Sequence, residues 1–181
     1  FGKCRADTIR SELSGKKPQE REDFIMSQLM EALKAQCGKF VLKFRVLSPD
    51  AERTSHYVVF VTKNFKGYEI MKEIMAKESV PNDAAIPSYE FTENAEPNRL
   101  LQFTDPHEDL ADDIARAFAG MTLSFDEVYQ QHCPDTPYVS RNYRTALAIL
   151  EQRGRLTARN TNLTARRPFK YGDKCRITFN E

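Results

Sequence analysis

The sequence has few of the motifs by which enzymes are recognised. Its seven glycines lie far apart, so neither G-x-G-x-x-G nor a Walker loop is present to hold a nucleotide phosphate. The G-x-S-x-G nucleophile motif and the H-E-x-x-H zinc motif are also absent. We therefore expect neither catalysis nor a bound cofactor from this chain alone.

Metal-ligand patterns, disulfide patterns and membrane spans are equally scarce. The four cysteines show no C-x-x-C spacing, which is typical of reduced thiols in a cytoplasmic protein. His132 and Cys133 are the only adjacent pair of metal-binding types, whereas a zinc site needs about four ligands. No apolar run approaches the roughly 20 residues of a membrane span, and the polar start "FGKCRADTIR" is unlike a signal peptide. Because the chain starts with Phe1, we expect it to be a piece of a longer protein or a processed product.

The charges, in contrast, are abundant and segregated. Net charge is only +1, yet residues 79–137 carry 2 basic and 12 acidic side chains, whereas residues 138–181 carry 10 basic and 3 acidic ones. A cationic block behind an anionic block indicates a polyanionic partner for the C-terminal end. The alternative is that the two blocks neutralise each other within the fold.

Residues 1–78 are expected to form a small sheet with packing helices. Helices are predicted at 5–14 and 18–37, with Pro18 at the first helical position and Gly38 as a left-handed C-cap. Residues 40–46 alternate as a strand, and the apolar run 57–61 indicates a second strand covered on both faces. The short connection favours an antiparallel hairpin. A further helix over 66–79 should pack through a stripe of apolar residues: Ile70, Met71, Ile74 and Met75.

Two strands alone are rarely stable, so the sheet needs a further source of pairing. Either another strand comes from the following segment, or the hairpin is the edge of a larger sheet whose other strands lie outside this chain. Residues 79–104 indicate an acidic linker with a short strand at Tyr89–Phe91. A loop packed across both flanking units is the alternative.

Residues 105–181 have better-defined signals. Asp105 caps a helix that Gly120 closes, and Ser124 with Glu127 forms a capping box for the next helix. A third helix is predicted from Thr136-Pro137 to Gly154. "RLTAR" and "CRITF" then alternate as strands around the basic loop "NTNLTARRPFKYGDK". This order of elements is that of a winged helix-turn-helix domain, so we expect an α/β (α+β) fold that ends in a winged helix.

The third helix and the wing supply the candidate site. In helix-turn-helix proteins the N-terminal half of this helix faces the major groove of DNA. With Tyr143, Ala146, Leu147 and Leu150 buried, the exposed positions are predicted to contact DNA, where Arg binds guanine and Asn binds adenine. Basic wing residues are predicted to contact phosphates. The predicted DNA-binding residues are Ser140, Arg141, Asn142, Arg144, Thr145, Arg159, Arg166, Arg167, Lys170 and Lys174. The alternative is a protein-interaction module that binds no DNA.

The stretch "KFVLKFRVLSPDAERTSHYVVFVTKNFKGYEIMKEIMAKES" resembles the three-Cys-motif partner proteins, a bacterial family. The resemblance rests on a strand, an "RTS-Y" turn, a second strand and a "G-x-x-x-M-K-x-x-M" helix, and extends to "RTALAILEQRGRL"; the matching residues include Arg53, Thr54, Ser55, Tyr57, Gly67, Met71, Lys72 and Met75. It covers about residues 20–181. It implies that residues 1–78 are the C-terminal part of a methyltransferase-like Rossmann domain, with the hairpin at the antiparallel end of its sheet. It also implies a radical-SAM-like partner protein, and a cofactor half that lies outside this chain.

Overall fold

The computed structural model describes residues 3–48, 53–79, 86–91, 105–161, 167–172 and 175–180. The fold is α+β, as the sequence predicted, with six helices and two three-stranded sheets among the described residues. Of the helices in these ranges, none has both the length and the apolar composition needed to cross a bilayer.

The first unit is a three-stranded sheet with helices packed against it. It contains α1 (Lys3–Glu12), α2 (Pro18–Gln36), β1 (Phe40–Leu47), β2 (Thr54–Thr62), α3 (Phe65–Glu78) and β3 (Glu90–Phe91). The predicted antiparallel hairpin is confirmed, with Phe40 opposite Thr62. The short strand predicted at Tyr89–Phe91 is also present as β3, which pairs parallel with the other side of β1. The strand order is β2-β1-β3, so the segment after α3 supplies the third strand.

The burial predicted for β2 is wrong. No residue of this strand is buried, and Val58 keeps 46% of its surface exposed. The reason is its place in the sheet: within the described residues β2 lies at the edge, while β1 takes the central position and carries the buried side chains Phe40, Leu42 and Phe44. An apolar run alone does not distinguish a central strand from an edge strand.

The predicted packing stripe of α3 is confirmed at Met75, which is buried, and at Met71, which packs against the core, but it is wrong at the two isoleucines. Ile70 and Ile74 are about half exposed, whereas the buried residues are Tyr68, Lys72, Met75 and Ala76. Tyr68 packs on Phe40, with ring centroids 5.1 Å apart. The Tyr68–Phe40 contact and the burial of Lys72 therefore define the buried face of α3. The apolar periodicity of the sequence did not indicate this face.

Gly38 follows α2 but is not a left-handed cap, contrary to prediction. Positive φ is found at Gly15, Gly120 and Gly154, and not at Gly38. A Cβ at Gly38 would lie 2.5 Å from Val61 Cγ1 and 3.0 Å from the carbonyl oxygen of Thr62. The glycine is therefore required by the close approach of β2.

The second unit is the winged helix. It contains α4 (Pro106–Ala117), β4 (Thr122–Leu123), α5 (Phe125–His132), α6 (Ser140–Gln152), β5 (Leu156–Asn160) and β6 (Cys175–Phe179). The side chain of Asp105 accepts a hydrogen bond from the His107 amide, and Ser124 and Glu127 form the predicted capping box. The sheet order is β4-β6-β5, with β5 and β6 antiparallel as the two strands of the wing.

The predicted start of α6 at Thr136-Pro137 is wrong by about one turn, because the helix begins at Ser140. Thr136 Oγ1 donates a hydrogen bond to the Cys133 carbonyl oxygen at 3.0 Å, which places it in the turn after α5. Asp135 in the same turn has a positive φ of 65°. Residues 133–139 thus form the turn of the helix-turn-helix.

The two units share one hydrophobic core. A single cluster of buried side chains joins Phe40, Phe44 and Met75 of the first unit to Leu147 and Phe179 of the second. In the described part of the predicted linker, Tyr89 packs against this cluster, Ile86 and Pro87 are buried, and β3 pairs with β1. The domain boundaries 1–78, 79–104 and 105–181, and the choice between a linker and a packed loop, stay predictions.

Candidate nucleic-acid interface

Helix α6 is anchored by one apolar face. Tyr143, Ala146, Leu147 and Leu150 are fully buried, as predicted from their spacing. The ring of Tyr143 meets the ring of Tyr129 on α5 edge-on, with centroids 5.0 Å apart. The Tyr143 hydroxyl also lies 2.8 Å from His132 Nδ1. This face leaves Arg141 and Thr145 exposed on the opposite side of the helix.

The exposed position predicted for Asn142 is wrong, because only 2% of its surface is accessible. Its Oδ1 accepts a hydrogen bond from the Val139 amide at 3.0 Å, which satisfies one of the unpaired donors at the start of α6. Its Nδ2 lies 3.2 Å from His107 Nε2. Asn142 therefore fastens α6 to the start of α4, and its amide is not presented to a base.

Arg144 is exposed, yet its guanidinium is held by the protein. Nη1 donates to the carbonyl oxygen of Tyr171 at 2.8 Å. The guanidinium carbon lies 4.0 Å from the centroid of the Phe125 ring, a cation–π geometry. Arg144 thus joins α6 to α5 and to Tyr171, which lies in the wing shortly before β6.

The returning segment of the wing, residues 167–172, packs along α6. Buried Tyr171 donates its hydroxyl hydrogen to Glu151 Oε2 at 2.8 Å, and the same oxygen accepts from the Phe169 amide at 3.3 Å. Phe169 itself is 42% exposed and has a positive φ of 57°. The base of the wing is therefore tied to α6 while an aromatic ring next to Lys170 faces solvent.

The remaining predicted site residues are distributed around this frame. Arg159, Arg167 and Lys170 are exposed, Ser140 is half-buried, and Thr145 Oγ1 donates back to the Arg141 carbonyl oxygen at 3.3 Å. Arg166 and Lys174 lie outside the described residues. The structure thus brings exposed cations of α6 and of the wing onto the same module.

Three arginines of the cationic block are neutralised by the acidic block. Arg153 pairs with Glu108 at 2.6 Å and Arg155 with Asp112 at 2.5 Å, both across to α4. Arg176 pairs with Glu127 at 2.6 Å. Hydrogen bonds from Ser124, and then Arg176, hold the pKa of Glu127 below its usual range. The cancellation considered from the sequence therefore occurs at Arg153, Arg155 and Arg176.

Sequence reasoning missed that α3 contacts the start of α6. Glu73 Oε1 accepts a hydrogen bond from the Ser140 amide at 3.2 Å. One residue earlier, Lys72 Nζ donates to the Cys133 carbonyl oxygen at 2.8 Å in the turn before α6. The local sequence around Glu73 contains no signal for this contact, because its partner is 67 residues away.

Three helices, a short strand between the first two, and a two-stranded wing after the third define a winged helix-turn-helix domain. Residues 88–162 match the family model described as "GMT-like wHTH domain", which supports this assignment. The comparison with curated proteins gave no match. The comparison with solved structures gave none either.

Proposed function

We propose that the winged helix binds duplex DNA through the outer face of α6 and the wing. The observation that carries the proposal is the exposed cationic surface of Arg141 on α6, Arg159 on β5, and Arg167 and Lys170 in the wing. Cations on a winged helix match the phosphate backbone, which dominates the affinity of such proteins for nucleic acid.

The contacts within the protein define which kind of binding is proposed. Asn142 is buried, and Arg144 is engaged with Tyr171 and Phe125, so two of the predicted base-reading residues have other partners. Arg141 and Thr145 are exposed on the outer face of α6, and we propose that this face enters the groove. We therefore propose that phosphate contacts supply most of the affinity and that direct readout of bases is limited.

Salt dependence of binding tests this function. Binding of the chain to mixed-sequence duplex DNA is measured by fluorescence anisotropy at several salt concentrations. Each phosphate contact contributes a slope of about −0.9 in log K against log salt, so replacing both Arg167 and Lys170 with Ala should reduce the magnitude of the slope by about 2. Arg153→Ala is the control, because Arg153 is paired with Glu108 and its loss should leave the slope nearly unchanged. Absence of binding at low salt, or an affinity that does not change with salt concentration, would overturn the DNA proposal.

A protein-interaction module is the second candidate. The observation in its favour is that other helices of the same chain pack against the helix-turn-helix turn and the start of α6. Lys34 of α2 pairs with Asp135 at 2.5 Å, and α3 contacts Cys133 and Ser140. A winged helix that uses this region for protein contacts does not need DNA. A radical-SAM-like protein is the partner that the sequence resemblance implies.

We also propose that the chain is part of a larger methyltransferase-like protein of the three-Cys-motif partner family. In support, β1 pairs with a parallel strand on one side and an antiparallel strand on the other, a mixed pattern common in sheets of α/β enzymes. A glycine-rich strand–loop–helix in the coding sequence upstream of Phe1 tests this relationship. The chain by itself is proposed not to bind S-adenosylmethionine, and micromolar binding by calorimetry would contradict that.

A further inference from the structure

The first unit covers the turn that precedes the recognition helix. Lys72 of α3 is fully buried and donates to the Cys133 carbonyl oxygen, and Lys34 of α2 pairs with Asp135. Phe65, at the start of α3, meets Tyr129 on α5 edge-on, with centroids 5.9 Å apart. Separate contacts from two helices therefore fix the position of α3 against the helix-turn-helix.

This position brings a carboxylate to the first turn of α6. Glu73 Oε1 accepts from the Ser140 amide at 3.2 Å, and Arg141 is the next residue along the helix. Burial raises the pKa of the Tyr89 phenol; Glu73 adds to that rise and Arg141 opposes it, so both charges lie near the same buried ring. The hydrogen bond to Ser140 and the adjacency of Arg141 in the sequence thus place both charges at the first turn of α6.

In helix-turn-helix proteins the first half of the recognition helix faces the DNA. A carboxylate beside it repels the phosphate backbone and cancels part of the attraction of a neighbouring arginine. Because the Debye length is about 10 Å at 0.1 M salt, the carboxylate repels phosphates that come within about 10 Å of it at moderate ionic strength.

We infer that Glu73 is an autoinhibitory residue: it masks Arg141 and lowers the affinity of the winged helix for duplex DNA. The inference rests on the proposed function and deepens it. Arg141 stays on the exposed face of α6, but its attraction for DNA is reduced by the neighbouring carboxylate. Any rearrangement that moves α3 away from Ser140 would remove that carboxylate from beside Arg141 and strengthen binding.

A double-mutant cycle tests the masking of Arg141. The four proteins are the unmodified 181-residue chain, Glu73→Gln, Arg141→Ala and the double variant. Gln keeps an oxygen that can accept the Ser140 hydrogen bond, so the substitution removes charge and leaves the cap of α6 in place. Glu69→Gln is the matched control: it makes the same charge change one turn earlier on α3, where Glu69 pairs with exposed Lys66 at 2.6 Å.

The probe is a mixed-sequence duplex, followed by anisotropy from low to moderate salt. Glu73→Gln should bind about three- to tenfold more tightly at low salt, and the gain should shrink as salt rises, because it is electrostatic. In the Arg141→Ala background the same substitution should gain much less, since the masked cation is gone. Thermal midpoints measured in parallel verify that all four proteins are folded.

The outcomes separate the inference from the proposed function. If the unmodified chain binds DNA and Glu73→Gln binds no more tightly than Glu69→Gln, the masking role is overturned and the DNA-binding function stands. An equal gain with and without Arg141 would likewise overturn it, because Arg141 would not be the masked group. If no variant binds the duplex even at low salt, the proposed function itself fails.

Discussion

Some side chains in this protein have structural roles that their residue type does not indicate, and Lys72 is the clearest example. It has no exposed surface, its ammonium lies 5.5 Å from the Tyr68 ring centroid, and it donates to the Cys133 carbonyl oxygen at 2.8 Å. Burial lowers the pKa of Lys72 to about 8. The cation is retained because it joins α3 to the helix-turn-helix turn, at the cost of its desolvation.

This lowered pKa predicts a pH-dependent stability. Between about pH 8 and the usual value of 10.5, the unfolded chain binds more protons at Lys72 than the folded chain does, so the free energy of unfolding gains a term that rises with pH. Lys72→Met lacks this term. The stability of the unmodified chain minus that of Lys72→Met should rise by about 1–2 kcal/mol from pH 8 to 9.5, measured by urea unfolding.

The quantity to compare is the difference in free energy of unfolding between the unmodified chain and Lys72→Met. Burial also raises the pKa of Cys133 to about 11, and deprotonation of that thiol in the unfolded chain opposes the rise in both proteins. A difference that stays constant over this pH range would mean that the ammonium pays no desolvation cost in the fold.

At the scale of elements, glycine placement decides how closely α2 and β2 approach each other. Gly38 is buried after α2, and a Cβ there would meet Val61 and the backbone of Thr62. Gly172, in the returning segment of the wing, has nothing within 4 Å of the equivalent position. Substituting Ala at each of these two glycines therefore compares a crowded site with an open one.

Gly38→Ala should destabilise the protein by about 1–3 kcal/mol, because the added methyl group forces β2 to shift. Gly172→Ala should change the free energy of unfolding by no more than about 1 kcal/mol, because it meets open space and has no positive φ. Urea unfolding at fixed pH measures both. Equal effects of the two substitutions would contradict the close approach at Gly38.

At the scale of the whole molecule, the two units share one core. The same buried cluster contains Met75 on α3 and Leu147 on α6. Ion pairs also connect the acidic and basic blocks, as between Glu108 and Arg153. The two predicted units are in this way joined by apolar contacts and by ion pairs.

A shared core predicts a single unfolding transition. Met75→Ala and Leu147→Ala should each cost about 2–5 kcal/mol and move the same thermal midpoint, because each leaves a cavity in one cooperative structure. Scanning calorimetry of both variants is the measurement. Two resolved transitions, with each variant shifting only one of them, would show that the units unfold independently and would favour the predicted boundaries.

The sequence by itself determined the elements whose signals are local. Asp105 and the Ser124–Glu127 pair start helices because a side chain reaches an amide two or three residues away, and Gly154 follows the end of α6 because glycine adopts positive φ. The buried stripe of α6 also follows from spacing alone. The order of these elements was sufficient to predict the winged helix.

Only the tertiary structure decided which partners the side chains take. Asn142 and Arg144 have the residue types of DNA readers, but His107 and Tyr171, distant in sequence, engage them. Glu73 meets Ser140 because the fold places α3 against the turn before α6, where Lys72 also bonds to Cys133, and a hydrogen bond across 67 residues has no local pattern. Periodicity shows that a helix has an apolar face, whereas packing decides which neighbour covers it; that is why the stripe of α3 and the exposure of β2 differed from prediction.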